Sequence, residues 1–293
     1  MSLLKWKVGD ATITKLEEIV YPEFSDVIPA ATPDVVKQVK WLFPHFVTPE
    51  GLLSLSIHSL IVETPSAKLV VDTCIGNDRD RNPFDVMHML STSYLEDMIA
   101  AGYQPEGIDF VLCTHLHLDH VGWNTRKVDG KWVPTFPNAS YLMGKQDLDF
   151  WSSAASHDAE EDFLQIQAKV MEDPLQPILD ADLAKPVEGP TEVCEGVRLI
   201  STPGHTPGHC SVIVESKGES AMITGDFVHH PIQFNDPALV SPFDVDNDAA
   251  VATRRRVFDE YADSPTLIIG THFAGPTAGK LVRDGDGCYR LDV

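Results

Sequence analysis

The feature that most constrains this chain is a dense histidine cluster placed directly after an apolar run. Residues 108–113 predict a buried strand, and the following stretch, 114–123, reads THLHLDHVGW. It places three histidines and one aspartate within positions 115–120. Imidazoles packed this closely repel one another when protonated. Either a metal ion holds them neutral or they face water on a loop.

Three later apolar strands also end in a turn residue followed by a possible ligand. Residues 202–209 read TPGHTPGH, 224–226 read TGD, and 270–272 read GTH. Nitrogen and carboxylate ligands of this kind suit Zn²⁺. On an extended strand end, alternate residues such as His115 and His117 can face one ion. The recurrence at strand ends therefore favours a metal site over a solvated loop.

The other histidines lack this pattern. We expect His209 to satisfy a loop hydrogen bond, and His230 to be structural or exposed. Histidines that stand alone are read as surface residues: His45, His58, His88 and His157.

The set HxHxDH, followed at long range by His, Asp and His at strand ends, resembles the metallo-β-lactamase superfamily of hydrolases. The resemblance implies an α/β fold, an αββα sandwich of two mixed β-sheets flanked by helices. It also implies two divalent metal ions, with zinc expected. Asp72 matches a strand-end aspartate that supports the site from outside. The implied ligands are His115, His117 and His205 for one ion, Asp119, His120 and His272 for the other, and Asp226 as the bridge.

The resemblance implies a hydrolase in which a metal-bridging hydroxide cleaves a lactone or a carboxylic ester. Two cations that share a carboxylate also lower the pKa of a shared water. Asp119 or Asp226 would then manage the proton. No serine or cysteine nucleophile is needed.

Within the superfamily, the chain is most similar to quorum-quenching lactonases and to the methyl parathion hydrolase-like branch. Those lactonases carry a tyrosine three residues after the bridging aspartate, where this chain has His229. His229 either donates a hydrogen bond to a substrate oxygen or points elsewhere. The run GDFVHHPIQFNDP at 225–237 is similar to the parathion hydrolase branch. A phosphotriesterase is therefore the alternative function, and a mononuclear iron dioxygenase is a less favoured one.

An apolar pocket would suit a small-molecule ester or lactone. Trp123 follows the ligand loop directly and is the first candidate to contact substrate; Phe234 is a second. The segment 41–46, which includes Trp41 and Phe46, roofs the pocket, forms a dimer contact or packs as ordinary core. A homodimer is possible by analogy with related enzymes.

Charge and composition restrict the partners. The formal net charge of −22 argues against a nucleic-acid partner, because phosphates would be repelled. The only basic cluster, 254–256, is interpreted as a solvated face or a set of salt bridges. No apolar run approaches the roughly 18 residues of a membrane span, and the N-terminus does not resemble a secretory signal. Five cysteines without CxxC spacing suggest reduced thiols and a cytoplasmic protein.

We predict one α/β domain over 1–293, with residues 21–50 as an N-terminal extension. Alternation, caps and turn residues place the secondary structure. Helices are expected at 33–43, 91–102, 145–171 with a break near 153–156, and 248–261, and a loop at 174–190. Strands are expected in a pair over 8–20, then at 53–63, 68–72, 108–113, 197–201, 211–215, 220–224 and 266–270, and in a hairpin over 281–291.

Overall fold

A computed structural model describes residues 3–154, 167 and 169–293. The chain forms two compact units, and each is described by itself. The first unit comprises residues 1–6, 12–18 and 57–191, and the second comprises 7–11, 19–56 and 192–293. The prediction of one domain over 1–293 stays a prediction.

The described residues form sixteen strands in two large sheets and one separate hairpin. The strands are β1 Lys5–Val8, β2 Ala11–Tyr21, β3 Leu55–Glu63, β4 Lys68–Val71, β5 Phe110–Cys113, β6 Thr125–Val128, β7 Lys131–Pro134, β8 Ser140–Gly144, β9 Ala184–Val187, β10 Thr191–Cys194, β11 Val197–Ser201, β12 Cys210–Ser216, β13 Glu219–Ile223, β14 Leu267–Ile269, β15 Ala278–Arg283 and β16 Tyr289–Asp292. The first sheet has the order β1-β2-β3-β4-β5-β8-β9, and the second runs from β10 to β16 in chain order.

Six α-helices lie in the described part of the chain, with short 3₁₀ turns and one π-helix, Met171–Leu175. The helices are α1 Pro33–Val36, α2 Tyr94–Ala100, α3 Lys145–Ala154, α4 Gln176–Asp180, α5 Ile232–Asn235 and α6 Asn247–Tyr261. Among these helices, none is long and apolar enough to cross a membrane.

Parallel pairing in the first sheet brings two polar strand ends to one edge. β4 and β5 are parallel, with Val71 opposite Leu112. Asp72 follows β4 and Thr114 follows β5, and the carboxyl ends of parallel strands meet at the same edge. The register therefore places the strand-end aspartate beside the start of the histidine cluster.

The second sheet brings three strand ends together in the same way. β12 is antiparallel to both β11 and β13, and β13 is parallel to β14. Strands β11, β13 and β14 therefore run in one direction and end at one edge. His205, Asp226 and His272 follow these three strands, so the sheet order explains why predicted ligands far apart in sequence converge.

The N-terminal extension contributes to the hydrophobic core of the second unit. Its apolar residues share one cluster with β12, β13 and α6: Val27, Ile28, Ala31, Val36, Val39, Leu42, Phe46 and Val47. Trp41 and Phe43 are partly buried against that cluster. Burial of these side chains agrees with the prediction that the segment 41–46 packs as ordinary core. The roles of pocket roof and dimer contact stay predictions.

Two sequence predictions of secondary structure are wrong. The expected loop at 174–190 contains the end of the π-helix, α4 and β9. Pro177 lies in the first turn of α4, where proline is tolerated, and Pro174 lies inside the π-helix. The expected helix at 33–43 shortens to α1 and a 3₁₀ turn, Lys40–Leu42. The hairpin β6–β7 was missed, and the expected break near 153–156 lies mostly outside the described residues.

Candidate metal centre

Four predicted ligands follow β5 in the first unit. His115, His117 and His120 are buried, and the side chain of Asp119 is 18% exposed. The ring of His115 lies 4.0 Å from that of His120 and 4.6 Å from that of His117, between centroids. The folded unit thus brings the HxHxDH residues together.

Asp72 orients two of these histidines. Its Oδ2 lies 2.9 Å from Nδ1 of His120 and accepts the hydroxyl hydrogen of Thr114 at 2.8 Å. Because the Thr114 hydroxyl donates to Asp72, it accepts from Nδ1 of His115 at 3.1 Å. Both imidazoles therefore carry their hydrogen on Nδ1, and a metal ion would be bound through Nε2.

The glycine of the motif allows the ligand loop to approach β4's end. The backbone N–H of Thr73 donates to the carbonyl of His120 at 2.6 Å, and that of Gly122 donates to the carbonyl of Cys74 at 2.7 Å. A Cβ at Gly122 would lie 1.8 Å from the carbonyl oxygen of Ile75. Any side chain at this position would push the loop away from its support.

Trp123 is anchored by the partly buried carboxylate of Glu18. Its indole stacks on Tyr94 with centroids 5.3 Å apart, and its Nε1 donates to Glu18 Oε1 at 2.6 Å. Glu18 also accepts from the backbone N–H groups of Ile75 and Gly76. Burial raises the pKa of Glu18, and these donors oppose the rise.

In the second unit, two predicted histidine ligands lie close to one carboxylate oxygen of a third predicted ligand, Asp226. Oδ2 of Asp226 lies 3.0 Å from Nε2 of His272 and 3.8 Å from Nε2 of His205. All three side chains are buried. Thr271 donates its hydroxyl to the other oxygen, Oδ1, of Asp226 at 2.9 Å. The carboxylate is thus held with one oxygen toward the two imidazoles.

The orientation of these two histidines is also fixed through Nδ1. Nδ1 of His272 donates to the backbone carbonyl of Ser56 at 3.2 Å, and Nδ1 of His205 lies 2.9 Å from Oδ1 of Asp244. A carbonyl and a carboxylate only accept, so the hydrogen in each case sits on Nδ1. His205, His229 and Asp244 also form one of the groups of side chains close enough to hold a metal ion.

The expected loop hydrogen bond of His209 is confirmed. Its Nε2 accepts the backbone N–H of Asp226 at 2.7 Å, while its Nδ1 lies 2.8 Å from the hydroxyl of Thr202. His209 therefore supports the backbone of the predicted bridging residue.

His229 is buried, and neither ring nitrogen has a hydrogen-bond partner among the described residues. Its Nε2 lies 3.6 Å from Oδ2 of Asp226. Burial lowers the pKa of His229 to about 3, although the Asp226 carboxylate opposes this. The imidazole is neutral at neutral pH and retains one N–H donor and one acceptor.

The predictions for the remaining histidines are only partly confirmed. His230 is structural, because its Nε2 donates to the carbonyl of Phe46 at 2.8 Å. His45 is exposed and His88 is partly exposed, as expected. The expectation that His58 lies at the surface is wrong, because it is buried in β3. His157 lies outside the described residues.

The predicted pocket residues pack inside their own units. Phe234 is buried against Phe258 and Phe273, with ring centroids 4.8 and 5.8 Å away. Phe46 is fully buried beside Phe273. Contact of Trp123, Phe234, Trp41 and Phe46 with substrate stays a prediction.

The sequence pattern did not indicate a role for Asp244. It predicted that Arg254 lies on a solvated face or in a set of salt bridges. Arg254 is fully buried on α6, with Nη1 3.7 Å from Oδ2 of Asp244. Its Nε donates to the carbonyl of Pro237 at 2.8 Å. Arg255 and Arg256 are exposed. The helical spacing of Arg254 could have predicted its burial, since it shares the buried face of α6 with Val257 and Phe258.

The residues present suit a divalent metal ion. Four buried histidines each direct Nδ1 to an oxygen of the protein, an arrangement that fixes Nε2 as the metal-binding nitrogen. These are His115, His120, His205 and His272. Imidazole nitrogen with carboxylate oxygen is a donor set typical of zinc.

Comparison with known proteins gives a family. The sequence model of the metallo-beta-lactamase superfamily matches residues 54–272. The N-acyl homoserine lactonase of Bacillus cereus is 27% identical over 238 residues, which is 77% of this chain and 84% of the relative. The N-acyl homoserine lactonase of Bacillus thuringiensis is 28% identical over 210 residues, 68% of this chain and 74% of the relative.

Solved structures agree on the fold. AbOPH, a hydrolase in the beta-lactamase superfamily, has a TM-score of 0.80 at 28% identity and covers 99% of this chain and 97% of its own. AidC, a dizinc quorum-quenching lactonase, has a TM-score of 0.78 at 22% identity, covering 99% and 96%. At that identity AidC supports the fold alone. The predicted fold class, α/β with two large mixed sheets, is confirmed.

Proposed function

The chain belongs to the metallo-β-lactamase superfamily of hydrolases, and on this basis we propose that it hydrolyses a lactone or carboxylic ester with two bound divalent metal ions. The observation that carries the proposal is the set of buried histidines oriented through Nδ1. Histidines that serve only as core residues have no need of this common arrangement. Ligand histidines do, because the second hydrogen bond orients the ring and raises its basicity.

We assign seven residues as ligands of two ions, with zinc as the expected metal. His115, His117 and His205 would hold one ion, and Asp119, His120 and His272 the other. Asp226 would bridge the two. Asp72 is proposed as the supporting carboxylate, acting through His120 and Thr114.

Bound divalent ions would supply a Lewis acid and lower the pKa of a water molecule. The chain's own residues would then move protons and hold the substrate. Asp119 or Asp226 would accept the proton of the attacking water and pass it to the leaving alkoxide. His229, buried and neutral, would donate its N–H to a substrate oxygen.

The relatives favour a lactone as the substrate. Both curated relatives compared above are N-acyl homoserine lactonases. A small molecule suits this chain better than a nucleic acid, because the chain carries a net charge of −22. We propose a cytoplasmic enzyme that forms a homodimer, which size-exclusion chromatography with light scattering would test.

The decisive experiment is a rate panel on zinc-loaded protein. The substrates are an N-acyl homoserine lactone, a simple aliphatic lactone, an aryl acetate and methyl paraoxon, with Asp226→Asn as the control. The proposal predicts fastest turnover of a lactone and loss of turnover in the control. Fastest turnover of methyl paraoxon would instead establish the phosphotriesterase alternative. One iron per chain in the purified protein would favour the dioxygenase.

A further inference from the structure

The predicted ligand His205 is joined to a buried ionic network that the proposed ligand set does not include. Oδ1 of Asp244 lies 2.9 Å from Nδ1 of His205. The side chains of Asp244 and Arg254 are both fully buried. Burial of two charges is costly unless each is paired and hydrogen-bonded, so the arrangement calls for a role beyond packing.

The other carboxylate oxygen of Asp244 is surrounded by donors. Oδ2 accepts the backbone N–H of Ser241 at 3.1 Å and lies 3.7 Å from Nη1 of Arg254. Both groups only donate, so they require an acceptor at this position. The orientation of the Asp244 side chain is therefore fixed, with Oδ1 left to face His205.

Arg254 ties this network to the segment that carries the predicted bridging residue. Its Nη1 donates to the carbonyl of Phe227, the residue after Asp226, at 3.2 Å. The backbone adds two bonds, from the N–H of Val245 to the carbonyl of His205 and from that of Asp246 to the carbonyl of Gly204. The loop that presents His205 is thus held through both its backbone and its imidazole.

We propose that Asp244, itself fixed by Ser241 and Arg254, is a positioning residue that keeps the hydrogen of His205 on Nδ1 so that Nε2 binds the metal ion. This inference rests on the proposed role of His205 as a ligand. It assigns to Asp244 and Arg254 a function that the sequence pattern of the ligands does not contain.

The fixed donors around Oδ2 lead to an unusual expectation for Asp244→Asn. The amide oxygen must face Ser241 and Arg254, so the amide NH₂ faces Nδ1 of His205. An NH₂ group only donates, so the imidazole must accept at Nδ1 and carry its hydrogen on Nε2. The variant keeps the shape of the side chain but gives the imidazole the wrong tautomer for metal binding. Asp244→Ala removes the support and imposes neither tautomer.

The first test is zinc affinity, measured by competition with a chromophoric chelator. We expect Asp244→Asn to weaken binding of one zinc ion by roughly 10- to 100-fold. Asp244→Ala should bind zinc more tightly than Asp244→Asn although it unfolds at a lower temperature, because it leaves Arg254 buried without its partner. If Asp244 had a structural role alone, the variant with the lower unfolding temperature would also have the lower zinc affinity. That result would overturn the proposal. The matched control is Asp246→Asn, which retains an oxygen to cap α6 at the N–H of Ala249 and should bind zinc like wild type.

The second test needs no variant of Asp244 to fold. Nitrogen-15 NMR of metal-free wild-type protein, with the His205 signals assigned from a His205→Asn sample, should show the hydrogen on Nδ1. A hydrogen on Nε2 would refute the inference. The NMR measurement does not depend on substrate turnover. It therefore tests the role of Asp244 even if the protein hydrolyses no lactone.

Discussion

The indole Nε1 of Trp123 donates a hydrogen bond to the partly buried carboxylate of Glu18 at 2.6 Å. The bond connects the residue that follows the HxHxDH cluster to β2 of the first sheet. Glu18 and the stack on Tyr94 together fix the orientation of the indole. Trp123 therefore supports the loop that carries the HxHxDH residues in the first unit.

Replacing Glu18 by glutamine should destabilise the protein. The carboxylate accepts hydrogen bonds at both oxygens, from Trp123 and Thr92 at Oε1 and from Ile75 at Oε2. One of these positions would be taken by an amide NH₂ that faces another donor. We expect the free energy of unfolding to fall by about 1–3 kcal/mol, measured by urea denaturation. Unchanged stability in Glu18→Gln would show that this network contributes nothing.

Replacing Asp72 by asparagine should weaken metal binding without removing a ligand. The amide can satisfy only part of the set formed by Thr114 N–H, the Thr114 hydroxyl and Nδ1 of His120. The expected loss of zinc affinity is roughly 10- to 100-fold. Chelator competition measures it, with Asp109→Asn as control, since the side chain of Asp109 accepts an exposed hydrogen bond from the backbone N–H of Lys68. Equal affinity in Asp72→Asn and wild type would contradict the supporting role.

Replacing Arg79 by methionine should be strongly destabilising. Arg79 is fully buried, pairs with Asp173 at 3.0 Å, and donates to Thr125 and to the carbonyl of Gly122. Methionine leaves Asp173 without this partner and removes the donors, for an expected loss of about 3–5 kcal/mol of unfolding free energy. The matched control is Lys169→Met, which breaks an exposed pair with Asp80 and should leave the denaturation midpoint unchanged.

Replacing His229 by tyrosine and by phenylalanine separates its two possible roles. Tyrosine retains a donor and phenylalanine does not. If His229 donates to the substrate, His229→Tyr keeps most lactone turnover, while His229→Phe loses roughly 10²-fold or more in kcat, comparable to losing one oxyanion donor. Zinc content should be unchanged in both. Equal turnover in the two variants would remove His229 from the reaction.

Removal of the metal should lower both activity and thermal stability. Zinc held by the native protein at a concentration about a thousandfold above its Kd stabilises the fold by about 4 kcal/mol. For a chain of this length, that corresponds to a fall of roughly 7 °C in Tm on treatment with a chelator. Added zinc should restore both properties. A Tm unaffected by chelator, measured by differential scanning fluorimetry, would argue against structural coupling of the ions, and Asp226→Asn should show a much smaller shift.

The sequence by itself determined the family and the candidate ligands. HxHxDH after an apolar run, and single polar residues after β11, β13 and β14, are local signals that need no knowledge of distant contacts. Strand ends and turn glycines are local signals for the same reason. Most strands and the long helices could therefore be predicted.

Tertiary structure decided what surrounds those ligands. Asp244 lies 39 positions from His205 and Arg254 a further ten, so no local pattern joins them. The same holds for Glu18 and Trp123, which only the order of the first sheet connects. Burial of His58 and Arg254 depends on which face packs against the core. Ligand identity follows from residue type and spacing, whereas ligand orientation follows from hydrogen bonds that only the folded chain creates.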